Sequence, residues 1–123
     1  MELKNRSQYL DKLISVQDME VIKVVTGIRR CGKSSLLKLM MAHLREQGVM
    51  EDQILSMNFE SMQFADMDSK SLYQYVMERA PKEKRLYLFL DEVQKVRNWQ
   101  DAVNSFRVDL DCDIYVTGSN AYL

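Results

Sequence analysis

Residues 21–44 read VIKVVTGIRRCGKSSLLKLMMAHL, and the order of residue types in this stretch decides the fold. Val21 to Thr26 is rich in β-branched residues, which predicts a strand. Gly27 to Gly32 is a loop with a glycine at each end. From Lys33 to Gln47, Leu36, Leu37, Met40 and Leu44 recur at helical spacing, and Gly48 stops the helix. Leu39 and Met41 add apolar surface off that stripe, so this helix is predicted to be covered on more than one face. A strand that turns through glycines straight into an apolar helix opens a parallel α/β unit.

The alternation continues in both directions. Arg6 to Val16 predicts a short amphipathic helix, with Tyr9, Leu10, Leu13 and Ile14 on one face. Ile54 to Phe59 predicts a strand, and Ser69 to Ala80 a helix that Pro81 ends. Leu86 to Leu90 (LYLFL) is wholly apolar, which places it centrally in a sheet covered on both faces. Trp99 to Leu110 predicts a helix and Asp113 to Thr117 a last strand. The class is therefore α/β, with a mainly parallel sheet between helical layers.

Composition bounds the rest. The 123 residues make one domain or part of one, 46% hydrophobic and 28% charged, with a net charge of −1. That balance gives no support for direct nucleic-acid binding through bulk charge. Two cysteines, Cys31 and Cys112, are too few for a disulfide scaffold. The N-terminus has no apolar leader, and the longest apolar run, Leu86 to Leu90, is far short of the about 20 residues a membrane span needs. A cytoplasmic protein without membrane association is expected.

Gly27-Ile28-Arg29-Arg30-Cys31-Gly32-Lys33-Ser34 matches G-x-x-x-x-G-K-[ST] at every position, between a strand and a helix as the motif requires. Glycines let such a loop turn tightly and aim successive N–H groups at phosphate oxygens. The helix that starts near Lys33 adds unpaired N–H groups and the positive end of its dipole. We assign nucleotide binding to Gly27, Ile28, Arg29, Arg30, Cys31, Gly32, Lys33, Ser34 and Ser35. Lys33 also reaches the β- and γ-phosphates in a catalytic role, and the Ser34 hydroxyl is a ligand for Mg²⁺. The side chains of Arg29 and Arg30 are read as solvated, and Cys31 as an incidental small residue in the loop.

Leu86 to Leu90 runs directly into Asp91 and Glu92. Open parallel sheets bind ligands at the C-terminal edge of their strands, where this pair sits. Asp91 is assigned to the Mg²⁺ shell through water, and Glu92 to accepting a proton from the attacking water. The competing reading is an acidic pair that caps a helix. Thr117-Gly118-Ser119-Asn120 ends the last strand. Ser119, then Asn120, are candidates for contact with the γ-phosphate or the attacking water; a plain turn with a helix cap is the alternative.

Together, Gly27–Ser34, Leu86–Glu92 and Thr117–Asn120 resemble the P-loop ATPases of the AAA superfamily, with the phosphate loop as Walker A and the acidic strand end as Walker B. More narrowly, GIRRCGKSSLL, LDEVQKVRNWQDAV and TGSNAYL look like the prokaryotic AAA-type ATPases of unassigned role. The resemblance spans about Arg6 to Leu123 and implies a three-layer P-loop core with strand order 1-4-3-2. It also implies ATP rather than GTP, and the sequence has no guanine-recognition motif.

Such ATPases continue into a fifth strand, an arginine finger and a helical lid. The chain is accordingly expected to be a truncated ATPase domain over 1–123, with a helical lead-in over 1–20 and a nucleotide-binding core over 21–123. The expected function is Mg²⁺-dependent ATP hydrolysis coupled to conformational change. It is expected to be slow here, because an arginine finger is worth about 10³–10⁵ in rate. The alternative is a nucleotide-dependent interaction switch with little turnover. Self-association through an exposed first strand, and an unidentified protein partner or C-terminal domain, complete the expected contacts.

Overall fold

The computed structural model describes residues 2–19, 21–25 and 32–118. In chain order they form α1 (Glu2–Ser15), β1 (Lys23–Val25), α2 (Gly32–Glu46), β2 (Ile54–Asn58), α3 (Ser69–Arg79), β3 (Leu86–Asp91), α4 (Trp99–Asp109) and β4 (Cys112–Thr117). Three 3-10 turns, Glu51–Gln53, Met62–Phe64 and Val93–Lys95, lie between these elements and carry no periodicity that sequence reading detects. The first strand is shorter than predicted: Val21 and Ile22 precede it, and Thr26 lies outside the described residues.

The strands form one parallel sheet in the order β1-β4-β3-β2. β3 is buried along its whole length, as its apolar run requires. Its side chains alternate between two layers. Leu86, Leu88 and Leu90 join Val76 of α3 and Val103 and Phe106 of α4. Tyr87 and Phe89 join Leu13 of α1 and Leu36, Met40 and Leu44 of α2. β4 follows the same rule: Ile114 and Val116 enter the first layer and Tyr115 the second. The Phe89 and Tyr115 rings stack with centroids 4.8 Å apart.

Local chemistry sets the helix ends. The Asp68 carboxylate accepts the Ser71 N–H at 2.9 Å while the Asp68 N–H donates to the Ser71 hydroxyl at 2.9 Å, a reciprocal cap that starts α3. After α2, Gly48 takes φ +94°, which lets the Val49 N–H reach back to the Leu44 carbonyl at 3.0 Å. On α2 itself Met41 is buried, but Leu39 is 39% exposed, so the second apolar face predicted for this helix is only half covered.

At the N-terminal end of the sheet, Lys23 and Asp113 form a sealed ion pair, with side-chain exposures of 2% and 0%. Asp113 also accepts from the Tyr115 hydroxyl at 2.7 Å and the Asp18 N–H at 2.9 Å. Lys23 also donates to the Met19 carbonyl at 2.6 Å. Tyr87 donates to Asp18 at 2.8 Å; burial, then Asp18 itself, pushes its phenol up to about 12. This network ties the α1–β1 connection to the sheet. The opposite, C-terminal edge is left to α2, Asp91 and Thr117.

Candidate functional site

Alternation along two strands builds the site. Phe89 and Tyr115 point to the α2 side of the sheet, so Asp91 and Thr117, two residues further on, point there too. The first turn of α2 lies across the same edge and presents Lys33 and Ser34. Asp91 is 5% exposed, and both its oxygens are taken by hydroxyls. Ser34 Oγ donates to Oδ2 at 2.5 Å, and Thr117 Oγ1 donates to Oδ1 at 2.5 Å. A buried carboxylate needs such partners.

Glu92 follows in left-handed conformation, φ 58° and ψ 49°, and starts no α-helix. Asp91 ends β3 rather than capping a helix. The Glu92 N–H donates to Thr117 Oγ1 at 3.0 Å, so one hydroxyl fixes both acidic residues. The Glu92 carboxylate is held on two sides. Gln94 Nε2 donates to Oε1 at 2.7 Å, and Lys33 Nζ lies 3.5 Å from Oε2. Lys33, 9% exposed, also donates to the Gly118 carbonyl at 3.0 Å.

Four residues singled out in the sequence, Lys33, Ser34, Asp91 and Glu92, thus form one cluster, joined by hydrogen bonds through Thr117 and by the Lys33–Glu92 ion pair. Gly32 opens α2. Ser35, half-buried on the same turn, stands outside the cluster. Gly27, Ile28, Arg29, Arg30, Cys31, Ser119 and Asn120 lie outside the described residues. Sequence reading placed Thr117 and Gln94 in the motifs that carry the resemblance but gave neither a role. The signal for Thr117 was available, since it sits two places after the inward-facing Tyr115. Gln94 lies in a 3-10 turn, where no period points to it.

The cluster combines one ammonium, two carboxylates and two hydroxyls beside the N-terminus of a 15-residue helix. Its hard oxygen donors, Ser34 and Asp91, fit Mg²⁺. The helix terminus and Lys33 fit phosphate. A sequence family described as "AAA domain" matches residues 20–123. The chain belongs to this family. AAA domains are nucleotide-binding, ATPase-like modules, and the four-stranded order found here suits a P-loop core. A protein of Haemophilus influenzae named "Uncharacterized protein" is 40% identical over 121 residues, covering 97% of this chain and 30% of its own length. A Methanocaldococcus jannaschii protein, likewise named uncharacterized, is 26% identical over 125 residues, covering 100% of this chain and 27% of its own. This AAA domain therefore spans less than a third of the curated relatives it matches. No solved structure matches it. Among its described residues, no helix is long and apolar enough to cross a membrane.

Proposed function

We propose that this AAA domain binds ATP with Mg²⁺ and hydrolyses it to drive a conformational change in a longer cytoplasmic protein, of which 1–123 is the nucleotide-binding part. The observation that carries the reading is the convergence of Lys33, Ser34, Asp91 and Glu92 through the Ser34–Asp91 hydrogen bond, which spans 57 residues of chain, and the Lys33–Glu92 ion pair. Phosphate oxygens take the Lys33 ammonium in place of Glu92, a charge-assisted exchange. Ser34 and, through water, Asp91 would hold Mg²⁺, which supplies charge neutralisation between the phosphates when bound.

Glu92, released from Lys33, accepts a proton from water as the water oxygen bonds to the γ-phosphorus. The bond from that phosphorus to the bridging oxygen breaks, and its electron pair leaves with ADP. Inorganic phosphate is the second product, and the proton passes from Glu92 to solvent. A general base placed in this way contributes about 10²–10⁴ in rate. The fold also supports self-association: among the described residues β1 pairs with β4 alone, and Val24 on it is 49% exposed.

Calorimetric titration of ATP and ADP, with and without Mg²⁺, tests the site. Lys33→Ala should weaken binding about tenfold to a hundredfold, the value of a charge-assisted bond. Absence of nucleotide binding by the folded chain defeats the proposal. One observation favours a second reading, a nucleotide-dependent switch with little turnover: both oxygens of Glu92 are already engaged. Glu92→Gln separates the two. Hydrolysis collapses under the first reading, while nucleotide-dependent behaviour persists under the second.

A further inference from the structure

Gln94 is half-buried in the Val93–Lys95 turn, two residues beyond Glu92. Its amide nitrogen donates to Glu92 Oε1 at 2.7 Å. The orientation of that amide is fixed by chemistry. An ionised carboxylate offers only acceptors, so the NH₂ end must face it. The carbonyl end is then turned away. Gln94 Oε1 is buried, and among the described residues no donor reaches it. A buried acceptor without a partner is uncommon and costly, so one in a candidate catalytic cluster calls for a physical reason.

The attacking water supplies one, once phosphate draws Lys33 off Glu92 and the carboxylate's shift opens this sealed oxygen to a water molecule. A water that attacks phosphorus must direct a lone pair at the γ-phosphate, which leaves its two O–H groups pointing elsewhere. Glu92 accepts one of them. A second acceptor beside the carboxylate orients the attack; Ser119 and Asn120 lie outside the described residues, and among those described the free carbonyl oxygen of Gln94 is attached to the group already bonded to Glu92. Lys33 cannot serve, since an ammonium has no acceptor. Asp91 is committed to Ser34 and Thr117 and, in the proposed site, to the Mg²⁺ shell.

We infer that Gln94 orients the attacking water: its amide N–H holds Glu92 in place and its carbonyl oxygen accepts the second O–H of that water. This rests on the hydrolytic reading above and assigns a further residue to the same reaction. Glu92 remains the proton acceptor. Gln94 exchanges no proton and acts through position, as water-orienting residues do in phosphoryl transfer.

The test uses Gln94→Met, which keeps the length and volume of the side chain, and Gln94→Asn, which keeps the amide but shortens its reach. Circular dichroism and the urea midpoint establish that each is folded. Three quantities are compared with the unmodified chain: affinity for Mg·ADP, affinity for Mg·ADP with fluoroaluminate as a mimic of the in-line transition state, and the single-turnover rate at saturating ATP. Both variants should keep the Mg·ADP affinity and KM. They should bind the fluoroaluminate complex more weakly and turn over more slowly, each by about 10- to 100-fold, part of what a positioned base supplies.

Equal losses in Mg·ADP and fluoroaluminate binding would make Gln94 a merely structural residue and overturn the inference. So would variants that match the unmodified chain on all three measurements. If the unmodified chain binds no Mg·ADP, the hydrolytic reading falls and takes this inference with it. If it binds Mg·ADP but turns over too slowly to measure, the fluoroaluminate comparison alone decides.

Discussion

Replacing Thr117 by Val is the sharpest probe of how the acidic pair is held. Val has nearly the shape of Thr, so no cavity opens at this fully buried position. What disappears is one hydroxyl with two roles: it donates to Asp91 Oδ1 and accepts the Glu92 N–H. A hydrogen bond to a charged group is worth about 1.5–3 kcal/mol, and a neutral one about 1. The added methyl of Val returns about 0.8 kcal/mol through burial. The net loss should be about 2–3 kcal/mol. With a urea slope of about 2 kcal/mol/M for a domain of this size, the unfolding midpoint should fall by about 1 M with the slope unchanged. Thr117→Ser is the control. It keeps the hydroxyl and loses a methyl, which costs about 0.5–1.5 kcal/mol. Hydrolysis should drop in Thr117→Val and survive in Thr117→Ser. A Val variant as stable as the unmodified chain, or a Ser variant less stable than Val, would refute the role given to this hydroxyl.

Lys23→Met should cost about 3 kcal/mol in urea unfolding, at the lower end for a broken buried pair because Asp113 keeps Tyr115 and the Asp18 N–H. Adding Asp113→Asn should recover about 1 kcal/mol or more, since no unpaired charge remains buried. The backbone N–H of Ser71, then its hydroxyl, holds the Asp68 carboxyl below its ordinary 3.8. Its stabilising effect is therefore present above that pH and is lost as pH falls through the lower folded-state value. The difference in unfolding midpoint between Asp68→Ala and the unmodified chain should stay level from neutral pH down to that region and then narrow. Burial raises the Cys112 thiol to about 11, so at pH 8 about one molecule in a thousand carries the thiolate there. In a Cys31→Ser background, Cys112 should react with an aromatic disulfide reagent far more slowly folded than in urea; equal rates would contradict its placement.

Much of this was legible before any coordinates. LYLFL followed by two acids reads as a buried strand ending in polar chemistry, and β3 is that strand. The spacing of Leu36, Leu37, Met40 and Leu44 fixed the inner face of α2, and with it the side on which Ser34 stands. Two kinds of fact were not legible. The lysine's contact with the Gly118 carbonyl involves a backbone atom, which any residue type supplies. Glu92 and Gln94 meet because the chain turns at Glu92 through a left-handed conformation that non-glycine residues seldom adopt. No composition rule announces such a turn at a glutamate. Leu39 misled for the opposite reason: its residue type asked for cover that the fold does not provide.

The strand order carries a consequence for how the molecule comes into being. β2, β3 and β4 follow one another in the chain and lie side by side, but β1 waits for β4, and Lys23 meets Asp113 across 90 residues. Closing so long a loop costs entropy before any contact repays it, which makes this pairing a slow step in folding. Until β4 slots between β1 and β3, Asp91 and Glu92 lack the Thr117 hydroxyl that holds both, and Lys33 lacks the Gly118 carbonyl. A ribosome-bound chain that has not yet released β4 therefore holds every chemical group of the cluster described here except Thr117 and Gly118, the two that lock the acidic pair and the lysine in place.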